Sequence, residues 1–172
     1  MNRTKIAFDE IIIRPATFDD IPAIVEIYNY AVLHTTATAD YELTTVEVRS
    51  KWFQERKAGG YAILMAVWEE KVVGWAALNP YHSRIGYRFT AENSVYIAPD
   101  YQGRGIGTLL LEKLLECARA QGLHCVIASV DASNPQSIAL HERFGFVEVG
   151  RMRETVYKFD RWLDVVALQL ML

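Results

Sequence analysis

Ser94-Val95-Tyr96-Ile97-Ala98-Pro99-Asp100-Tyr101-Gln102-Gly103-Arg104-Gly105-Ile106-Gly107-Thr108 runs from a β-rich segment, through glycines at alternate positions, into the clearest helical pattern of the chain. Ser94 to Ala98 reads as a strand. Gly107 to Gln121 reads as a helix: Ile106, Leu110, Leu114 and Ala118 form one stripe, Leu111 and Leu115 widen it, and Glu112, Lys113, Glu116 and Arg119 stay outside. Gly122 supplies its stop. Between strand and helix, Gly103, Gly105 and Gly107 let backbone N–H groups converge without obstruction by Cβ atoms, and the helix start adds the positive end of its dipole. The loop is either a plain turn or an anion cradle suited to a pyrophosphate. A dinucleotide fingerprint would place glycine where Thr108 stands and would sit in the first βαβ unit, and a P-loop would need Gly-Lys-Ser or Gly-Lys-Thr.

On the N-terminal side, Ile11 to Arg14 is a short strand, and Asp19, Asp20 and Pro22 open a helix through Ile24, Ile27 and Tyr28. The threonine-rich Thr35 to Asp40 is a loop, and Thr45 to Lys57 is a helix ending at Gly59-Gly60. Tyr61 to Val67 and Lys71 to Leu78 form an expected antiparallel hairpin around Glu69-Glu70-Lys71. On the C-terminal side come a strand from His124 to Val130, a short helix from Pro135 to Arg143, and strands from Glu148 to Lys158 and Trp162 to Leu170 that turn at Phe159 to Arg161. This order predicts an α+β domain, an α/β sandwich with a mixed sheet flanked by helices. The expected organisation is an extension over residues 1–10 and one domain over 11–172.

The chain has 172 residues, 51% of them hydrophobic, enough for one compact core. A formal net charge of −3 argues against a nucleic-acid partner, which usually needs a basic face. The apolar runs Tyr61 to Trp68 and Val165 to Leu168 are strand-sized and far short of the ~20 residues of a membrane span. Met1 to Glu10 lacks the apolar core of a secretory signal, so a cytoplasmic protein is expected. Cys117 and Cys125 fall in a helix and a strand pattern and read as free buried thiols. His34, His82, His124 and His141 have no paired ligand spacing, so no metal site is expected.

Gln102-Gly103-Arg104-Gly105-Ile106-Gly107 resembles the Gln/Arg-x-x-Gly-x-Gly/Ala signature of GNAT acetyltransferases, and Asn134 to Phe146 resembles that family's second cofactor segment at the expected spacing. More narrowly, Thr90-Ala91-Glu92-Asn93-Ser94-Val95-Tyr96-Ile97, Leu140-His141-Glu142 and Tyr157 to Val165 are similar to the phosphinothricin and methionine sulfoximine acetyltransferases. The resemblance implies a GNAT fold with its mixed central sheet splayed at the cofactor strand and helices on both faces. It also implies acetyl-CoA as cosubstrate, no metal, a small-molecule amine as acceptor and a homodimer.

By the same resemblance, Val95, Tyr96 and Ile97 hold the pantetheine arm through their backbone. Gln102, Gly103, Arg104, Gly105, Ile106, Gly107 and Thr108 take the pyrophosphate, and Asn134 and Ser137 contact the cofactor. Asn134 followed by Pro135 also reads as a helix cap, and one side chain can serve both ends. Acyl transfer needs a neutral amine, so a base must remove its proton; Glu92 is the expected base, with a solvated strand-end carboxylate as the other reading. His141 stands where many family members place a tyrosine acid, and reads either as that acid or as a packing and hydrogen-bonding residue. For an amino-acid-like substrate, Arg84 is expected to grip the carboxylate, with His82 and Ser83 beside it and Tyr30 and Thr36 on the amine side. Polyamine or protein N-terminal acetylation, or a non-catalytic CoA-sensing module, are the competing readings.

Overall fold

The computed structural model describes residues 10–172. The extension expected over residues 1–10 therefore lies outside the described residues except for Glu10, whose carboxylate accepts from Trp68 Nε1 at 3.2 Å. Eleven longer elements follow along the chain: β1 (Ile12–Pro15), α1 (Ile21–His34), α2 (Val46–Ala58), β2 (Ile63–Trp68), β3 (Lys71–Pro80), β4 (Thr90–Ile97), α3 (Ile106–Ala120), β5 (Cys125–Asp131), α4 (Pro135–Glu142), β6 (Val147–Lys158) and β7 (Arg161–Met171). The strands form one seven-stranded sheet in the order β1-β2-β3-β4-β5-β7-β6. Only β4 and β5 run parallel; every other neighbouring pair is antiparallel. The mixed sheet expected from the sequence is present.

Local chemistry accounts for the element ends. The β2–β3 hairpin turns at Glu69 and Glu70, both with positive φ, and the β6–β7 hairpin turns at Phe159 and Asp160 in the same way, giving two-residue connections. Thr45 caps α2 by accepting from the Val48 N–H. Asp20 precedes α1 and is held by the two terminal guanidinium nitrogens of Arg14 at 2.7 Å, which tethers the helix start to β1. That guanidinium keeps the Asp20 carboxyl below its ordinary pKa.

Two cores flank the sheet. On one face the α3 stripe, from Ile106 through Leu110, Leu111, Leu114 and Leu115 to Ala118, is buried against Leu64, Ala76, Leu78, Ala91 and Val126. On the other, α1 and α2 bury Ile24, Tyr28 and Phe53 against Met65, Trp75 and Ala77. Alternating residues of β3 serve opposite cores, as a strand covered on both sides requires.

Strand β4 begins at Thr90, four residues before the strand expected at Ser94. Thr90, Glu92 and Asn93 break the apolar run, so local pattern starts the strand at Ser94; pairing with β3 from Pro80↔Ala91 onward, and of Thr90 with Cys125 of β5, extends it. Pairing with β5 stops after Thr90↔Cys125, Ala91↔Val126 and Glu92↔Ile127. β3 nevertheless follows β4 to Ile97, and β7 follows β5 to Asp131. The sheet is thus splayed beyond Glu92.

Candidate active site

A cleft of about 900 Å³ opens where β4 and β5 part. One wall is the segment from Gln102 to Thr108 together with α4; the other is the C-terminal end of α1 and the loop of residues 35–39. Glu92, Asn93, Ser94, Val95, Tyr96 and Ile97 form its floor.

The glycine loop is built as its sequence suggests. Gly103 and Gly105 have φ of 73° and 80°, values that a side chain resists, and Gly105 is the residue preceding α3. The amides of Ile106 and Gly107 fall in the first helical turn, where N–H groups lack intrahelical acceptors and point at the cleft end of the helix. Gln102 donates from Nε2 to the Ile97 carbonyl at 3.2 Å, which ties the loop to the end of β4. The side chains of Ile106 and Arg104 turn elsewhere: Ile106 is 1% exposed in the α3 core, and Arg104 donates to the Asp100 carbonyl at 2.8 Å. Neither side chain lines the cleft. Asn134 accepts the Ser137 N–H at 3.0 Å, which is the capping role, and both residues line the cleft.

At the point of splaying, the Ser129 hydroxyl donates to Glu92 Oε1 at 2.6 Å. The carboxylate is thereby oriented by a residue of β5. Tyr30 and Thr36 line the same cleft, whereas His82, Ser83 and Arg84 sit on the exposed segment 81–89 outside its lining. There His82 Nδ1 accepts from the Arg84 backbone N–H at 3.1 Å, and its ring packs 4.9 Å from Tyr87.

His141 is 4% exposed in the wall formed by α4. Its Nδ1 lies 2.7 Å from the Ser137 carbonyl and its Nε2 lies 2.9 Å from Asn93 Nδ2. Burial lowers the imidazole pKa despite the opposing bond to Ser137. Burial likewise holds the Tyr96 phenol above its ordinary value.

Several residues that hold the loop of residues 35–39 went unnoticed in the sequence. Lys158, 2% exposed, donates from Nζ to the carbonyls of Thr35 and Thr38 at 3.0 and 2.7 Å, pinning the loop from the far side of the fold. Burial lowers its pKa, with Asp40 opposing. The Tyr28 hydroxyl bonds Thr38 at 2.9 Å and donates to Asp40 at 2.5 Å, while the Arg49 guanidinium covers the Tyr28 ring at 3.7 Å. Asp131 is buried at the rim of the cleft; burial pushes its pKa up, but hydrogen bonds from Thr36 and Ser133 win and hold it below the ordinary carboxylate value. A lysine between the aromatic residues Tyr157 and Phe159 was the available signal for Lys158.

Residues 24–146 match the acetyltransferase (GNAT) family. The chain belongs to the GNAT acetyltransferases. Among its relatives in this family, the L-amino acid N-acyltransferase MnaT of Escherichia coli K12 is 40% identical over 160 residues, covering 93% of each chain. The L-methionine sulfoximine/L-methionine sulfone acetyltransferase of Salmonella typhimurium LT2 is 39% identical over 160 residues, covering 93% of this chain and 94% of that one. The GNAT fold superimposes on the crystal structure of a phosphinothricin acetyltransferase from Sinorhizobium meliloti in complex with acetyl-CoA with a TM-score of 0.92, at 34% identity, over 95% of this chain and 89% of that one. Among the described residues of this GNAT domain no helix is long and apolar enough to cross a membrane, and Cys117 and Cys125 are free thiols.

Proposed function

We propose that this GNAT enzyme transfers the acetyl group of acetyl-CoA to the primary amine of a small amino-acid-like substrate of the methionine sulfoximine, methionine sulfone or phosphinothricin type. The observation that carries this reading is the position of Glu92: its carboxylate, oriented by Ser129, lies on the cleft floor between the glycine loop and the threonine-rich loop.

The residues present fit acetyl-CoA. First-turn amides at Ile106 and Gly107 and the left-handed glycines suit a pyrophosphate, and the edge of β4 beyond Glu92, unpaired by β5, suits an amide-bearing arm. When bound, the thioester supplies an acyl group already activated for attack. The chain's own part is alignment: the cofactor wall and the amine wall hold the partners at one point, which removes most of the entropic barrier. Glu92, directly or through water, accepts the proton of the ammonium so that the amine attacks in its neutral form. Val95 to Ile97 lie along the floor, where a backbone N–H not bonded to β3 would stabilise a developing oxyanion. His141 enters through Asn93, as argued below.

The carboxylate of the substrate is assigned to Arg84, with His82 and Ser83 alongside. The segment carrying them also exposes Tyr81, Ile85, Tyr87 and Phe89, and we assign this apolar surface to a homodimer contact that brings the segment into use. Charge chemistry supports the pairing of a guanidinium with a carboxylate rather than with a polyamine.

The test is thiol release from acetyl-CoA against methionine sulfoximine, methionine sulfone, phosphinothricin, spermidine and a short peptide with a free N-terminus. Turnover confined to the first three is expected, and Glu92→Gln should lower kcat by about 10²–10⁴-fold while leaving acetyl-CoA affinity unchanged. Turnover of spermidine or peptide alone would replace the substrate; a Glu92→Gln enzyme with unchanged rates would remove the base.

A further inference from the structure

Asn93 and His141 face each other across the cofactor side of the cleft. Asn93 alternates along β4 with Ala91 and Val95, which pack into the α3 core, and so lies on the sheet face opposite Glu92, Ser94 and Tyr96. It is 8% exposed. His141 reaches it from α4, and Phe146 holds the imidazole edge-to-face at 5.0 Å.

The protonation of this pair follows from which atoms meet. The Ser137 carbonyl can only accept, so His141 Nδ1 carries the hydrogen of that 2.7 Å bond. A neutral imidazole with its hydrogen on Nδ1 offers a lone pair on Nε2, and Asn93 Nδ2 at 2.9 Å is the donor that fills it. Burial favours the neutral ring. Both ring nitrogens are thus committed, and neither presents a proton to the cleft. The tautomer also fixes the amide of Asn93, because Nδ2 must face the ring.

That leaves Asn93 Oδ1, a buried oxygen that accepts from no described residue. An unpartnered buried acceptor costs about 1–3 kcal/mol and is uncommon in a folded protein. Asn93 itself lines the cleft immediately past the last β4–β5 residue pair.

We propose that Asn93 is a cofactor-binding residue whose Oδ1 accepts an amide N–H of the acetyl-CoA arm, and that His141 is a positioning residue which orients Asn93 and gives no proton in the reaction. The proposal rests on acetyl-CoA being the cosubstrate. It replaces the acid role open to His141 in the sequence with a hydrogen-bond relay from Ser137 through His141 and Asn93 to the bound arm.

Two measurements test it. Long-range ¹H–¹⁵N spectra of the wild-type imidazole at neutral pH should show His141 as the neutral Nδ1–H tautomer; a protonated ring or the Nε2–H tautomer overturns the relay without any variant. Calorimetric binding of acetyl-CoA and of adenosine 3′,5′-bisphosphate, which keeps the adenosine and two of the three phosphates and lacks the arm, then separates arm from loop. Asn93→Leu and His141→Gln should each weaken acetyl-CoA about tenfold while leaving the bisphosphate unaffected, the size of one lost hydrogen bond. Equal losses for both ligands would mean a structural defect, and no loss for either would mean Oδ1 contacts nothing. A His141→Gln enzyme that binds acetyl-CoA normally and loses about 100-fold or more in kcat would restore the acid role. If wild-type protein binds the bisphosphate and not acetyl-CoA, the cosubstrate itself is wrong.

Discussion

The two walls of the cleft are made in different ways. The wall carrying the glycine loop is a local product: a strand, a loop whose glycines adopt left-handed backbone, and a helix start, all within Ser94 to Thr108. The wall carrying the threonine-rich loop is a product of tertiary structure: a loop of small residues held by Tyr28 and Asp40 beside it in sequence and by Lys158, which is 123 residues from Thr35 and 120 from Thr38. One wall presents backbone, whose geometry a short motif can specify. The other is shaped by side chains, whose partners only the folded chain brings together.

Three changes would sharpen or break this contrast. The largest effect is expected from Gly105→Glu: a side chain at φ 80° costs about 1–2 kcal/mol, and the carboxylate opposes the phosphates. Acetyl-CoA affinity should fall at least tenfold by calorimetry with the fold retained by circular dichroism; unchanged affinity would mean the loop is not the anion site. Lys158→Met is expected next. It leaves the Thr35 and Thr38 carbonyls without their donor, at about 1–3 kcal/mol of stability, and should raise KM for the amine severalfold while acetyl-CoA affinity stays put. A rise in both constants would mean the two walls are not independent. Lys158→Arg should restore part of the loss.

The smallest effect concerns Asp131, whose folded-state pKa lies below its unfolded value. Its stabilising contribution is therefore present above about pH 4, the ordinary carboxylate range, and is lost as pH falls through the lower folded value. Asp131→Asn should be slightly less stable at pH 7 in urea titrations and show a flatter loss of stability below pH 4. An identical pH profile would remove Thr36 and Ser133 as partners that matter.

The same contrast explains what could be read from the sequence. The α3 stripe, both hairpins, the Asn134 cap and the splayed sheet were legible, the first three because adjacent residues set them and the last through family likeness. The strand was expected to begin at Ser94 with Glu92 at its mouth; it begins earlier because Ala91 to Asn93 pair with β3 and Thr90 pairs with β5. Glu92 was visible as a carboxylate at a strand end, but its orientation by Ser129 depends on β5. Asn93 lay unremarked between Glu92 and Ser94, since an asparagine in a strand announces nothing until a buried histidine claims one end of it. Lys158 and Asp131 likewise look like surface residues until the fold encloses them.

The short β4–β5 junction has a mechanical meaning. α3 rests chiefly on β1 to β4, while α4 packs on β5, so the domain consists of two plates stitched by a three-rung seam from Thr90 to Glu92. Anything that grips the α3 loop and Asn134 together spans both plates and stiffens the seam, much as a strut closes an open frame. Slowed amide exchange in Val126 to Ala128 would therefore report occupancy of the cleft from within the sheet, at backbone positions that need not touch the ligand.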